Sequence, residues 1–254
     1  MRVGVQLRPW LIQEPPPALE DVLAEAARAG YDSVEIGAHY LNWEDPASLA
    51  AMLGRHGLSL SGVHVGGDIF NPDNVRRVRA SLEQVATCAV ASGAAYLLYS
   101  GLLLEHKTPA LRQAELEALN SAAAICARHS LPLLYHNHWW EIADDYADLR
   151  HYLAHSDPAR VSFCLDLGWV HRAGGDPDQA IELCAGRAPY FHLRDDTPQQ
   201  HWMGLGQGVI DFPRLLAQLS AQHAAWVVVE QDDITGSVTD AVAASREYLD
   251  RIIR

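Results

Sequence analysis

Lysine is almost missing from this chain: of its 19 basic residues, only Lys107 is a lysine. A Walker-type phosphate loop needs a GK[ST] end, and none occurs. Schiff-base chemistry needs a lysine on a strand or in a pocket, whereas Lys107 falls in the polar stretch Leu104-Glu105-His106-Lys107-Thr108-Pro109, a loop expected just before a helix. Cysteine is sparse too. Cys88, Cys126, Cys164 and Cys184 stand far apart with no CxxC pair, the pattern of reduced, buried thiols rather than of a disulfide framework or a cysteine zinc site. Positive charge is in deficit: 32 acidic side chains leave a formal net charge of −13, which lacks the basic footprint of a nucleic-acid or membrane-surface binder. The longest nearly apolar run, Ala94 to Leu104, is broken by Ser100 and Gly101 and is shorter than the about 20 residues of a membrane-spanning helix. The N-terminal MRVGVQLRPWL has Arg2 and Arg8 and no signal-like apolar stretch, so a cytoplasmic setting is expected.

What is present is ordinary globular material, with 49% apolar and 20% charged residues in 254. Short β-rich runs alternate with helical patterns from end to end. The expected strands are Val3–Leu7, Ser33–Gly37, Leu60–Val65, Ala95–Ser100, Leu131–His136, Val161–Asp166, Tyr190–Arg194 and Trp226–Glu230. They recur at the spacing of one strand plus one crossover helix. Between them, apolar residues fall at helical spacing, as in Val238, Val242, Ser245, Leu249 and Ile252. Eight βα units without a linker or composition break predict an α/β fold: one (β/α)8 TIM barrel spanning residues 1–254 as a single domain. In such barrels the chemistry sits at the C-terminal ends of the strands.

Alternation along the strands selects the inward faces. In strand six, Ser162, Cys164 and Asp166 share a face; in strand seven, His192 and Arg194; in strand eight, Trp226, Val228 and Glu230. With Glu141 after strand five, four consecutive strands offer Glu141, Asp166, His192 and Glu230 around one rim. A single strand-end carboxylate is as readily a salt-bridge or cap partner. Three carboxylates and an imidazole converging in one mouth would repel one another if left bare, and one divalent cation relieves that: O₃N ligands suit Mn²⁺ first, then Mg²⁺ or Co²⁺, with Zn²⁺ also compatible. No nucleotide cofactor is expected, because Met203-Gly204-Leu205-Gly206-Gln207-Gly208 lies in a long loop after strand seven and not in a first βα turn.

Several motifs together resemble the xylose-isomerase-like barrel superfamily, in its sugar phosphate isomerase/epimerase group. They are Asn137-His138-Trp139-Trp140-Glu141, Asp166 through Ala173-Gly174-Gly175-Asp176-Pro177, His192-Leu193-Arg194-Asp195, Gly206-Gln207-Gly208-Val209-Ile210-Asp211 and Val229-Glu230-Gln231-Asp232. That group includes tagatose-type 3-epimerases, hydroxypyruvate isomerase and 2-keto-myo-inositol dehydratase. The resemblance implies a metal tetrad of Glu141, Asp166, His192 and Glu230, with Glu141 and Glu230 also the acid/base pair. It implies a metal-dependent sugar isomerase or epimerase that moves a proton through a metal-stabilised enediolate, with a dehydratase of a keto-inositol as the alternative. Many members carry a histidine where this chain has Trp169, with His171 two residues further on. A small sugar or polyol is the expected partner, with neither nucleic acid nor membrane, and homo-oligomers are common in the group. An endonuclease-IV-type repair enzyme and a non-catalytic sugar-binding barrel are the rivals; the acidic charge opposes the first.

The remaining candidates would line the substrate pocket. His138 is expected on a substrate hydroxyl or, equally, as a buried structural histidine. Arg194 would bind a substrate oxygen or neutralise Asp195 or Glu230. His64 comes from strand three and Trp169 and His171 from the exit of strand six, with the reach of His171 into the pocket left open. Trp10, after strand one, would line the pocket or, as the favoured role, pack in the core or rim. Glu35 would anchor Arg8 or a ligand hydroxyl, while Trp139 and Trp140 are expected to pack.

Overall fold

The computed structural model describes residues 1–66, 72–101 and 106–253, with the side chains of 72–78 also outside the description. Leu104 and Glu105 of the expected lysine loop, and the end of the Ala94–Leu104 run, therefore lie outside the described residues.

Eight parallel strands close into a barrel: Arg2–Gln6, Ser33–Gly37, Ser59–Gly66, Tyr96–Ser100, Leu133–His136, Val161–Asp166, Tyr190–Leu193 and Trp226–Val229. Closure is made by the first and eighth strands, in the register Val3 to Val227 and Val5 to Val229. Strand boundaries agree with the alternation pattern to within about two residues, the usual slack of such boundaries. Helices separate the strands, among them Leu19–Arg28, Ala47–His56, Pro109–Arg128, Phe212–Ala221 and Val238–Ile252. Among the described residues no helix is long and apolar enough to cross a membrane. All four cysteines are free and buried.

Two apolar layers hold the barrel. The large one lies between strands and helices, where Val34, Ile36, Phe163, Leu165, Phe191, Val227 and Val229 meet helix residues such as Leu23, Leu119 and Leu216. The small one fills the barrel interior with Leu98, Leu134, Cys164, Tyr190, Trp226 and Val228. Cys164, Trp226 and Val228 are on the faces that alternation assigned inward. Above this apolar plug, toward the strand C-termini, the interior turns polar. Gly62 makes room for that transition: a Cβ there would overlap Leu98 and approach Glu35 and the Tyr190 hydroxyl, so bare backbone lets both polar side chains reach the axis.

A short antiparallel ribbon, Asp195–Asp196 with Trp202–Met203, follows strand seven and was not expected from the periodicity. It orders the glycine-rich run around one buried carboxylate. Asp195 accepts from the backbone N–H of Gly206 at 2.8 Å, Gly208 at 2.9 Å and Ile210 at 3.2 Å. A Cβ on Gly208 would overlap that carboxylate. The amides that a phosphate would require are thus already used by Asp195.

Candidate metal and active site

Asp166, His192 and Glu230 converge in the mouth of the barrel, as expected, but their fourth companion is His136. One ligand atom from each of His136, Asp166, His192 and Glu230 lies within 4.8 Å of the others, and all four residues are buried. His136 ends strand five and shares its inward face with Leu134 of the plug. Asp166 ends strand six and caps the short helix Leu167–Arg172, with Oδ1 accepting from the Trp169 N–H at 2.9 Å. His192 lies in strand seven beside Asp166 in register, and Glu230 follows strand eight directly.

The histidines are oriented by residues deeper in the barrel. His192 Nε2 is 2.7 Å from Glu35 Oε2, which also accepts from the Tyr190 hydroxyl at 2.8 Å. His136 Nδ1 is 3.2 Å from Ser100 Oγ, which is 2.6 Å from His64 Nε2. His64 Nδ1 in turn lies 3.4 Å from Glu35 Oε1. Glu35 occupies His192 Nε2 and Ser100 occupies His136 Nδ1, so the opposite nitrogen of each ring faces the cluster. Against burial, Cys164, Glu35 and Glu230 hold His192 well above its ordinary pKa, and its Nδ1 would give up a proton to a bound cation. Those nitrogens, His192 Nδ1 and His136 Nε2, are buried without a hydrogen-bond partner, as is Glu230 Oε2. His192 Nδ1 and Glu230 Oε2 are 2.6 Å apart, yet off the hydrogen-bonding direction. His136 Nε2 and His192 Nδ1 lie 3.6 and 3.9 Å from Asp166 Oδ2. Buried polar atoms are almost always paired, so several buried nitrogen and oxygen atoms left without hydrogen bonds around one point fit a cation held by imidazole and carboxylate. A histidine that ligates through one nitrogen and donates through the other to a carboxylate is the usual support of such sites.

Charge follows the same geometry. Burial opposes ionisation of Glu35, but the facing His192 and His64 outweigh it and bring its pKa to about 2. Burial also opposes the Glu230 carboxylate, yet Arg194 and His192 hold its pKa well below the ordinary value. Burial pushes Asp166 up against the pull of Arg194 and, joined by the neighbouring His192 and His64, pushes His136 well below its ordinary value, so it stands neutral. Cys164, beneath the cluster, is pushed up to about 12 by burial and remains a thiol.

Residues 23–252 match the xylose isomerase-like TIM barrel family. The chain belongs to that family. It is 23% identical to an inosose dehydratase of Geobacillus kaustophilus across 99% of this chain and 94% of that relative. Among solved structures it superposes on a sugar phosphate isomerase/epimerase of Parabacteroides distasonis with a TM-score of 0.83 at 20% identity, covering 98% of this chain and 95% of that one. D-psicose 3-epimerase of Clostridium cellulolyticum gives a TM-score of 0.80 at 13% identity over 100% of both chains.

In this xylose isomerase-like barrel Glu141 is not brought to the cluster, and that expectation is corrected. Glu141 stands five residues beyond the end of strand five, and the intervening turn folds its carboxylate back behind the sheet. There Oε1 accepts from the Tyr135 hydroxyl and Oε2 from the His138 N–H, both at 2.8 Å, with Lys107 Nζ 3.5 Å away. Tyr135 precedes His136, so alternation turns it toward the helices. The sequence signal for the substitute was present: His136 is the last inward residue of strand five.

The other candidates divide. His64 joins the oriented network, its ring 4.9 Å from that of His136. His138 stacks on Trp140 at 4.3 Å, meets His136 edge-on at 4.8 Å, and keeps Nδ1 without a partner. Trp169 lies 5.6 Å from the His138 ring and 4.9 Å from Trp202. Arg194 is consumed by carboxylates: Nε is 2.9 Å from Asp166, while its terminal nitrogens reach Glu230 and Asp232. It thus neutralises Glu230, one of its two expected roles, and not Asp195. Trp10 is not at the site; its indole N–H donates to Glu25 at 2.7 Å among the helices. His171 is also elsewhere, 3.7 Å from Asp196. Glu35 does not anchor Arg8, which pairs instead with Asp232 at 2.8 Å. Asn137, missed as a functional residue, bridges the ends of strands five and six by accepting from the Asp166 N–H at 2.8 Å and donating to its carbonyl at 3.3 Å.

Proposed function

We propose that this chain is a divalent-metal-dependent dehydratase of a keto-polyol, acting on a keto-inositol or similar ring. The observation that carries the reading is that one glutamate, Glu230, stands at the cluster, opposite histidines. Epimerisation by paired carboxylates calls for a second glutamate on the far side of the substrate, and Glu141 is behind the sheet. Elimination calls for one base and a group that helps a hydroxyl depart. The inosose dehydratase relative supports the same choice.

His136, Asp166, His192 and Glu230 would hold the ion, and two imidazoles among four donors favour Mn²⁺, Co²⁺ or Zn²⁺ over Mg²⁺. A bound cation supplies Lewis acidity for a carbonyl oxygen and the charge of an enediolate. Glu230, kept ionised by Arg194, takes the proton on the carbon next to the carbonyl. His138, with its unpartnered Nδ1, contacts the hydroxyl on the following carbon. That C–O bond breaks as the C=C bond forms, and the hydroxide leaves as water with the proton that Glu230 removed, which restores the Glu230 carboxylate. Glu35 and Ser100 hold the His192 and His136 rings in orientation, and Tyr190 fixes Glu35.

An isomerase or epimerase is the second reading, favoured by the structural likeness to D-psicose 3-epimerase, with His138 returning the proton. Incubation of metal-loaded protein with a keto-inositol and with ketohexoses in D₂O separates the two. Dehydration shows as an enone absorbance and the mass loss of one water. Epimerisation shows as deuterium incorporation without water loss. Neither signal on either substrate class overturns both readings.

A further inference from the structure

Behind strand five lies a second buried polar cluster built around the only lysine. The Lys107 side chain is 1% exposed, with Nζ 2.6 Å from Glu115, 3.0 Å from Asp148, 3.5 Å from Glu141 and 3.4 Å from the Tyr152 hydroxyl. Tyr152 donates to Glu115, Arg112 to Asp148, and Tyr135 reaches Glu115 at 3.3 Å as well as Glu141. The two acceptor oxygens of Glu141 hold the chain before and after His136: the Tyr135 hydroxyl one residue before it and the His138 N–H two residues after it, each at 2.8 Å. Strand five ends at His136, so the next amides have no ladder to define them. Asn137 ties the turn to strand six, and Glu141 ties it to the layer behind.

We propose that Glu141, anchored by Lys107, is a positioning residue that sets the placement of His136 and His138 through the backbone of residues 135–138. This inference rests on the reading of His136 as a metal ligand, and it gives Glu141 a role that a ligand of the ion would not have. The carboxylate acts as an acceptor for two fixed donors. Glutamine can replace it in both contacts, because its carbonyl accepts from the His138 N–H and its amide donates to the Tyr135 oxygen, which keeps its own proton for Glu115. Alanine cannot.

The test compares Glu141→Gln with Glu141→Ala by Co²⁺ titration and by amide hydrogen exchange of the segment 133–142. The expected result is Co²⁺ affinity within about threefold of the parent for Gln, and a loss of about 10–100-fold for Ala, the range seen when a ligand's support is removed. Faster exchange in the Ala variant should be confined to that segment. Equal loss in both variants would overturn the proposal and return Glu141 to the ligand set. Unchanged affinity and exchange in Ala would overturn it as well. Should Glu141→Ala not fold, Tyr135→Phe removes one of the two contacts without opening a large cavity, and locally faster exchange is expected; unchanged exchange there overturns the proposal. Failure of the parent to bind Co²⁺ would remove the metal reading, while the exchange contrast between Gln and Ala would still decide the brace.

Discussion

Two clusters of buried charge lie on opposite sides of strand five, and they are built by opposite rules. In the brace, every carboxylate oxygen of Glu115, Glu141 and Asp148 has a partner. In the barrel mouth, Glu35 Oε1, His136 Nε2, His192 Nδ1 and Glu230 Oε2 have none by hydrogen-bond geometry. Burial is the same, so it does not distinguish a structural network from a functional one. Completeness does. A fully satisfied network fixes geometry, whereas unsatisfied lone pairs around one point leave binding capacity at a cost in stability.

The largest effect that would sharpen this contrast is on the brace. Lys107→Met leaves three carboxylates around an apolar tip, and a loss of about 3–5 kcal/mol is expected in urea unfolding, as for a buried ion pair broken on one side. A loss below about 1 kcal/mol would mean the brace is not structural. The matching change in the mouth is His136→Leu. It removes a neutral ring whose Nε2 has no partner, so stability should stay within about 1 kcal/mol while Co²⁺ affinity falls about 100-fold or more. Intact affinity in that variant would take His136 out of the ligand set.

The pH dependence of stability sharpens the comparison further. Burial raises the Glu141 pKa from 4.5 to about 7, against the pull of Lys107. The folded state therefore binds more protons than the unfolded chain between these values, and stability falls as pH rises from about 4.5 through about 7. The contribution is on the order of 3 kcal/mol, and Glu141→Gln should flatten the profile in that window. The smallest effect concerns neither cluster. Gly208→Ala would crowd Asp195 and should cost roughly 1–2 kcal/mol in thermal unfolding, as modest overpacking does; a neutral result would mean the ribbon gives way without strain.

The strands and their facing were readable because alternation and spacing are local properties. Ser33–Gly37 and Val161–Asp166 agree residue for residue, and the inward placement of Cys164, Trp226 and Val228 holds in the interior layer. The expected members of the cluster were readable where a strand carries the side chain to the rim. Asp166, His192 and Glu230 are at or within one residue of a strand, and alternation aims each of them. Glu141, Trp10 and His171 lie on connections, where the turn rather than the pleat sets direction, and all three face away from the cluster. Lys107 reads as part of a polar loop because nothing local reports the carboxylates that helices contribute around it.

The order of the residues by itself determined the eight-stranded barrel, its family and three members of the cluster, since periodicity and strand ends suffice for these. Tertiary structure alone decided that His136 completes the cluster, that Glu35 and Ser100 orient its imidazoles, and that Glu141 works from behind the wall. Those choices depend on contacts such as Glu35 with His192 and Lys107 with Asp148. Closure of the barrel brings the first pair together, and docking of helices onto it the second. Neither exists until the chain has folded.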